Sequence, residues 1–382
     1  MTTTINNTEK AGNSSMAVIA ELGPKFASRA AKHDADGTFV AENFQEMREH
    51  KLFSAAIPVE LGGGGASHAD MCQVLRELAR YDGATALSFS MHSHLLATLN
   101  FRVRNNMEPS SEPALRRIAT EELVLVSTGG SDWLEGSGEL TKVDGGYQFS
   151  GRKIFGSGSP AGDLLLTTGV YNDLEAGPSV MHFAVNMHDA GVTVMQDWDT
   201  MGMRGTGSNS VQIENVFVPE GGISLTRPQG VWHRFFDVIS PLALSLIMSV
   251  YLGIAESARD IAVDQAGKKR DDTMVQDQVG ELDNELLIAQ TSIGEMIRMA
   301  TEYNPPSLEQ SNLIARHKTI ATNAAIRTVE KSLAVAGGQA YFRGLGLERR
   351  FRDVQAARFH PIQEKRQHRF SGRIALGLDP IE

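Results

Sequence analysis

Val126–Asp132 reads V-S-T-G-G-S-D, and a second stretch, Ser150–Ser159, reads S-G-R-K-I-F-G-S-G-S. The first puts a small-residue turn directly after an apolar strand. The second is a strand that carries an aromatic, Phe155, and a hydroxyl, Ser157. Glycines let backbone approach a neighbour closely, hydroxyls and N–H groups meet polar edges, and an aromatic side chain covers a flat face. Together these features form a grip for a flat ring with a polar rim, and the flanking sequence reads as what encloses it.

Upstream, from about Met16 to Glu121, Val18, Leu22 and Phe26 and later Met71, Leu75 and Leu78 recur at three- and four-residue spacing, which predicts a helical bundle. I-P-V-E-L-G-G-G-G-A at Ile57–Ala66 interrupts it with a loop that reads either as a plain turn or as a phosphate cradle. Beyond Leu123 the period changes. V-L-V, Y-Q-F, D-L-L-L-T-T-G-V, M-H-F-A-V, V-T-V-M and S-V-Q-I-E-N-V-F-V-P predict short strands rich in β-branched and aromatic residues. From Pro228 onward helices return, over about Ile239–Gly267, Val275–Tyr303 and Leu308–Ala336, with Pro305 and Pro306 separating the last two. The chain therefore divides into a helical domain at 1–122, a β-domain at 123–226 and a helical bundle at 227–382.

The 382 residues carry a net charge of -10, the opposite of the dense basic face that phosphate backbones require, so no nucleic-acid partner is expected. Cys72 is the single cysteine, which excludes an internal disulfide framework and a thiolate metal site and fits a reducing, cytoplasmic compartment. Met1–Ser15, rich in Thr, Asn and Ser, reads as a frayed tail without the basic-then-apolar order of an export signal. Val238–Ala255 is uncharged and close to membrane-spanning length, yet Ser240, Pro241, Ser245, Ser249 and Gly253 interrupt it, so a buried helix and no membrane contact are expected. His92 and His94 stand two apart on a predicted helix and so face different ways, which argues against a metal site.

Four segments in order give a resemblance to the acyl-CoA dehydrogenase superfamily across nearly the whole chain. V-S-T-G-G-S-D at Val126 looks like that family's T-E-P-x-A-G-S-D loop, shortened by two residues, and G-R-K-I-F-G-S-G at Gly151 looks like G-x-K-x-W-I-T-N. M-G-M-R-G-T-G-S at Met201 is similar to M-G-x-R-x-S, and A-G-G-Q-A-Y-F-R-G-L-G-L-E-R-R-F-R-D at Ala336 resembles a G-G-x-G segment that ends in E-R-x-x-R-D. The resemblance implies an α+β multidomain fold: an N-terminal helical bundle, a middle antiparallel β-barrel or sandwich, and a C-terminal four-helix bundle. It also implies a flavin, FAD or else FMN, held by Val126, Ser127, Thr128, Phe155, Ser157, Gln278, Gly337, Gly338 and Gln363, with Ser131 beside the substrate. Gly337 and Gly338 would serve a neighbouring subunit's cofactor, which implies a homotetramer. Lys268, Lys269 and Arg270 sit where the family has R-x-x-F-G, but the F-G is absent. Arg349, Arg350, Arg352 and Asp353 read as internal ion pairs or as a phosphate anchor.

The departure from the family matters as much as the likeness. Where the family places its catalytic glutamate, in Y-E-G-T, this chain has F-H-P-I-Q-E at Phe359–Glu364, so that Pro361 replaces the glutamate and His360 the aromatic. The family's alternative glutamate, near Ala243, is missing too, because Val238–Ala255 contains no carboxylate. One expectation is α,β-dehydrogenation of an acyl thioester such as acyl-CoA, with hydride transfer to flavin N5, Glu364 or His360 as base and an electron-acceptor protein as partner. The other is a monooxygenase of the same superfamily that receives reduced flavin from a separate reductase and uses O2 through a C4a-hydroperoxyflavin, with His360 in the glutamate's place. A non-catalytic homologue that keeps only the fold is the third.

Overall fold

The computed structural model describes residues 2–107, 110–173, 175, 177–302 and 305–381, with side chains from residue 14 onward. Most of the tail expected at Met1–Ser15 thus lies outside the described side chains, as does Tyr303, the expected end of one helix. The first region is α1 (Thr2–Asp36), α2 (Ala41–Glu49), α3 (His68–Tyr81), α4 (Gly83–Arg104) and α5 (Ser111–Glu121). Local chemistry sets the starts. Ser67 and Asp70 form a reciprocal capping box at α3, and Asp82 accepts from Thr85 N at the start of α4. The Gly-rich loop spends its N–H groups on its own chain: Gly64 N donates to Ser54 O, Gly65 N to Ile57 O and Ala66 N to Ala55 O. A Cβ at Gly64 would stand 2.8 Å from Ala55 O, so these glycines serve a tight self-contact rather than a phosphate.

The middle region carries β1 (Leu125–Ser127), a short helix α6 (Gly130–Glu135), β2 (Glu139–Val143), β3 (Gly146–Gly156), β4 (Leu164–Asp173), β5 (Gly177–Asn186), β6 (Val192–Val194), β7 (Asn209–Pro219) and β8 (Leu225–Pro228). One sheet runs in the order β6-β7-β3-β2-β4-β5-β8, with β1 added beside β4. It is mostly antiparallel, as expected, but β1 and β2 each pair with β4 in parallel. The parallel register Val126↔Leu165 brings the end of β1, and the loop after it, to the middle of the sheet. Register slips between Lys153 and Gly156 on the β3–β7 ladder. Such a bulge re-aims a side chain, and Phe155, at φ +57°, is thrown out to 52% exposure.

Three long helices follow, α7 (Phe235–Ala266), α8 (Thr273–Thr301) and α9 (Leu308–Ala336), and the shorter α10 (Leu347–Val354) and α11 (Glu364–Ala375) pack on α9 as the remaining side of the bundle. α7 is long and apolar enough to cross a membrane, yet 78% of its apolar window is buried in the protein. It packs against α3, α4, α8 and α9. Ile247, Met248, Val250, Leu252 and Ile254 lie in one hydrophobic cluster with Leu75 and Leu78 of α3 and Ala325 and Val329 of α9. Each such side chain contributes roughly 1.5–3 kcal/mol. The two helical regions therefore share one core, while the sheet keeps its own around Val126, Phe149 and Ile213.

Candidate functional site

The loop after β1 is tied down from the sheet side. Asp132, 5% exposed, accepts from Thr128 Oγ1 at 2.6 Å, Thr167 Oγ1 at 3.1 Å, Lys153 Nζ at 2.7 Å and the Ser137 hydroxyl. Lys153 donates further to Ser137 O at 2.7 Å and Thr168 O at 2.5 Å. Burial lowers the pKa of the Lys153 ammonium and the Asp132 charge opposes that fall. Ser127 Oγ accepts from Trp133 Nε1 at 3.1 Å. Two hydroxyls expected at a cofactor, Ser127 and Thr128, are thus turned into the β-domain, and Val126 is fully buried there. What the loop offers outward is the backbone of Gly129 and Gly130 and the exposed Ser131.

Phe155 stands next to that backbone. A Cβ on Gly129 would come within 3.1 Å of its ring, and Gly129 N donates to Ile154 O. Trp198 meets the Phe155 ring edge-on at 6.1 Å. Ser157, buried behind the strand end, shares a hydroxyl chain with Ser208 at 2.8 Å and, through Ser208, with Thr206 at 2.7 Å. A half-exposed aromatic face beside bare glycine backbone, with hydroxyls at its margin, fits the isoalloxazine of a flavin.

The opposite wall is the loop after α10. A Cβ on Gly130 would collide with the ring of Pro361, so this loop abuts the first directly. Lys318 of α9, 1% exposed, donates to His360 O at 3.1 Å and Ile362 O at 3.3 Å and fastens the loop to the bundle. Burial pushes the Lys318 ammonium down to about 8, and the Glu364 charge resists this. His360 Nε2 lies 2.6 Å from the hydroxyl of Tyr251, a fully buried residue of α7. Burial, then the Lys318 charge and then His94, hold the imidazole down at about 3, so it is neutral at physiological pH. Burial likewise pushes the Tyr251 phenol well above its ordinary range, with the Asp353 charge adding to this.

Not all expected residues gather here. Glu364, exposed at the start of α11, pairs with His368 at 3.8 Å and accepts from Asn323 Nδ2 at 3.4 Å. Gln363 is the exposed N-cap of α11. Gln278 is half-buried on the first turns of α8, and Gly337 and Gly338 are exposed where α9 ends. From Lys318 to Gly337 is about 28 Å of helix, and the Lys331–Glu281 pair at 2.7 Å holds the first turns of α8 beside that far end of α9, so these three lie far from His360 in the same chain. Two arginines of the basic run on α10 are spent internally: Arg352 pairs with Asp34 at 2.6 Å and Glu348 at 2.8 Å, and Arg350 Nε donates to Ser257 Oγ at 2.8 Å, while Asp353 accepts from Met203 N. His92 is a strut, its Nδ1 accepting from Leu125 N at 3.0 Å and its Nε2 donating to Phe53 O at 2.7 Å, which leaves no lone pair for a metal.

Tyr251 and Lys318 escape a motif-based reading, although each leaves a trace. Tyr251 is the only aromatic in the uncharged run Val238–Ala255, and Lys318 interrupts the buried stripe of α9 between Ile314, Ala315 and Ala321.

Comparison with known proteins agrees with this layout. Residues 17–102 match the acyl-CoA dehydrogenase N-terminal domain and residues 245–364 the acyl-CoA dehydrogenase C-terminal domain. "Putative acyl-CoA dehydrogenase YdbM" of Bacillus subtilis (strain 168) is 29% identical over 91% of this chain and 92% of its own length. Dibenzothiophene monooxygenase of Mycolicibacterium goodii is 27% identical over 91% and 90%, and "Probable FMNH2-dependent monooxygenase SfnC" of Pseudomonas putida is 26% identical over 92% and 92%. A solved structure, KijD3 in complex with FMN and dTDP-3-amino-2,3,6-trideoxy-4-keto-3-methyl-D-glucose, superposes with a TM-score of 0.87 at 26% identity over 96% of this chain and 94% of that one. With both helical regions matching its domains and the sheet in the same place between them, the chain belongs to the acyl-CoA dehydrogenase family.

Proposed function

We propose that the protein is a flavin-dependent monooxygenase that uses reduced FMN from a separate reductase, and O2, to oxygenate a small aromatic, sulfur or amino substrate. The observation that carries this reading is the content of the loop facing Gly130. Desaturation of a thioester needs a base that strips an α-proton, and here the position is filled by Pro361, with a neutral His360 beside it and Glu364 turned out to His368. Dehydrogenation, the other expectation, lacks its carboxylate. The monooxygenases among the relatives and the FMN bound to KijD3 support the same choice of chemistry and of cofactor.

Reduced flavin supplies the two electrons that let one oxygen atom of O2 enter the substrate while the other leaves as water. This chain contributes Phe155 and the Gly129–Gly130 backbone to hold the ring, Ser131 at the open side, and His360 as the polar group at the reacting end. Gln278, Gly337 and Gly338 serve, on this reading, the cofactor of a neighbouring subunit in a homotetramer. Exposed Leu287 and Ile288 on α8 and Ile320 on α9 give the apolar surface such an assembly would bury.

The test is direct. Anaerobic mixing of the flavin-loaded protein with a series of acyl-CoA thioesters is expected to leave the flavin absorbance unchanged, whereas reduced FMN with O2 and a thioether or amine supports turnover. Bleaching of the bound flavin by a thioester alone would overturn the proposal.

A further inference from the structure

The Tyr251–His360 contact says more than that the two residues touch. Tyr251 is 0% exposed, and its ring lies 5.4 Å from the imidazole at an interplanar angle of 59°. Among the described residues the only polar partner of its hydroxyl is His360 Nε2, at 2.6 Å. A buried O–H has to donate, because an unmade hydrogen bond costs the full desolvation of the group. With one acceptor within reach, the phenol proton points at Nε2. That nitrogen must then carry a lone pair, and a neutral imidazole with its lone pair on Nε2 carries its hydrogen on Nδ1.

The other features of the site agree. Lys318 lends its ammonium to His360 O and Ile362 O, which holds the backbone on both sides of Pro361 and opposes a second positive charge on the ring. His94, whose Nδ1 meets Ser90 O at 3.2 Å, and Asp353, which accepts from Met203 N, make no hydrogen bond to the Tyr251 hydroxyl among the described residues. Nδ1 of His360 makes no hydrogen bond among the described residues and is not sealed in the interior.

We infer that Tyr251 is a positioning residue that fixes His360 as its Nδ1–H tautomer, so that the open edge of the ring offers a hydrogen to an oxygen atom instead of a lone pair to a C–H bond. His360 is then a hydrogen-bond donor and not the base that a dehydrogenase requires. The identity of the acceptor oxygen rests on the monooxygenase reading. The tautomer does not, because it belongs to the resting protein.

The experiment is 15N NMR on protein labelled at histidine nitrogens, at neutral pH and without flavin, with His360→Asn to assign the ring. The expected spectrum has a pyrrole-type Nδ1 and a pyridine-type Nε2 for His360, and Tyr251→Phe shifts that pair toward the opposite assignment. Circular dichroism and the unchanged signals of His92 serve as controls for folding. A wild-type ring protonated on Nε2, with the phenol donating to water, overturns the inference, as does a Tyr251→Phe ring that keeps the wild-type pattern. Turnover with reduced flavin and O2 alongside an Nε2–H ring would sink this assignment and leave the proposed function standing. Bleaching by a thioester alongside an Nδ1–H ring would do the reverse.

Discussion

Two polar clusters face each other across the Gly130–Pro361 contact, and they are built to opposite rules. Around Asp132 every strong group is matched: the carboxylate takes four donors, and the Lys153 ammonium finds a carboxylate and two carbonyls. Around His360 the ring has a partner on one nitrogen only, and the nearest charge is an ammonium that points at backbone. The first cluster is closed and holds a loop in place. The second is unfinished, and a buried polar group left with an open edge is where chemistry is expected.

The sharpest way to break this contrast is to open the closed cluster. Lys153→Met leaves the Asp132 carboxylate buried without its cation, and a loss of about 3–5 kcal/mol in unfolding free energy is expected from urea titration. A loss under about 1 kcal/mol would mean that the pair is not the anchor of the loop. Next in size, His360→Ala is expected to lower turnover by about 10²–10⁴-fold. It strands the Tyr251 hydroxyl at a cost of about 1–3 kcal/mol, so the protein stays folded and flavin binding, measured by fluorescence quenching, survives.

The pH dependence sharpens the same comparison. His360 is held at about 3 when folded, against its ordinary 6.5, so the unfolded chain binds the extra proton between these values and stability falls as pH drops below 6.5. Between pH 6.5 and 5 wild type is expected to lose up to about 2 kcal/mol more than His360→Ala does, read from Tm at each pH. Parallel curves for the two proteins would show that the ring is not held neutral. Smallest of all, Glu364→Gln is expected to leave activity within about twofold, because an exposed carboxylate paired with His368 contributes little. A loss as large as that of His360→Ala would move the catalytic role to Glu364.

Much of this architecture is legible from pattern alone. The switch from three- and four-residue spacing to β-branched strands and back locates the sheet, because a half-buried strand and an amphipathic helix need different periods. Phe359–Glu364 can be found by counting from Arg352–Asp353, and the missing glutamate is visible there. What could not be read is direction. Ser127 and Thr128 look like cofactor contacts until the parallel pairing of β1 with β4 turns their hydroxyls to Trp133 and Asp132. Gly337 and Gly338 lie at the far end of α9 from Lys318, which is compatible with the expectation that they serve a neighbouring subunit's cofactor instead of this chain's own. Tyr251 lies among apolar residues that give no local sign of their neighbours; its partner is 109 positions away in sequence.

The collision that a Cβ on Gly130 would make with Pro361 couples two positions that lie far apart in the chain. Neither can be enlarged by itself: Gly130→Ala pushes the proline, and with it the neighbouring imidazole, off its mark. A mutational library that varies side-chain volume at this contact would have to sample both sites jointly, trading volume at one against volume at the other. Single-site screening would discard as dead the very replacements that succeed in pairs.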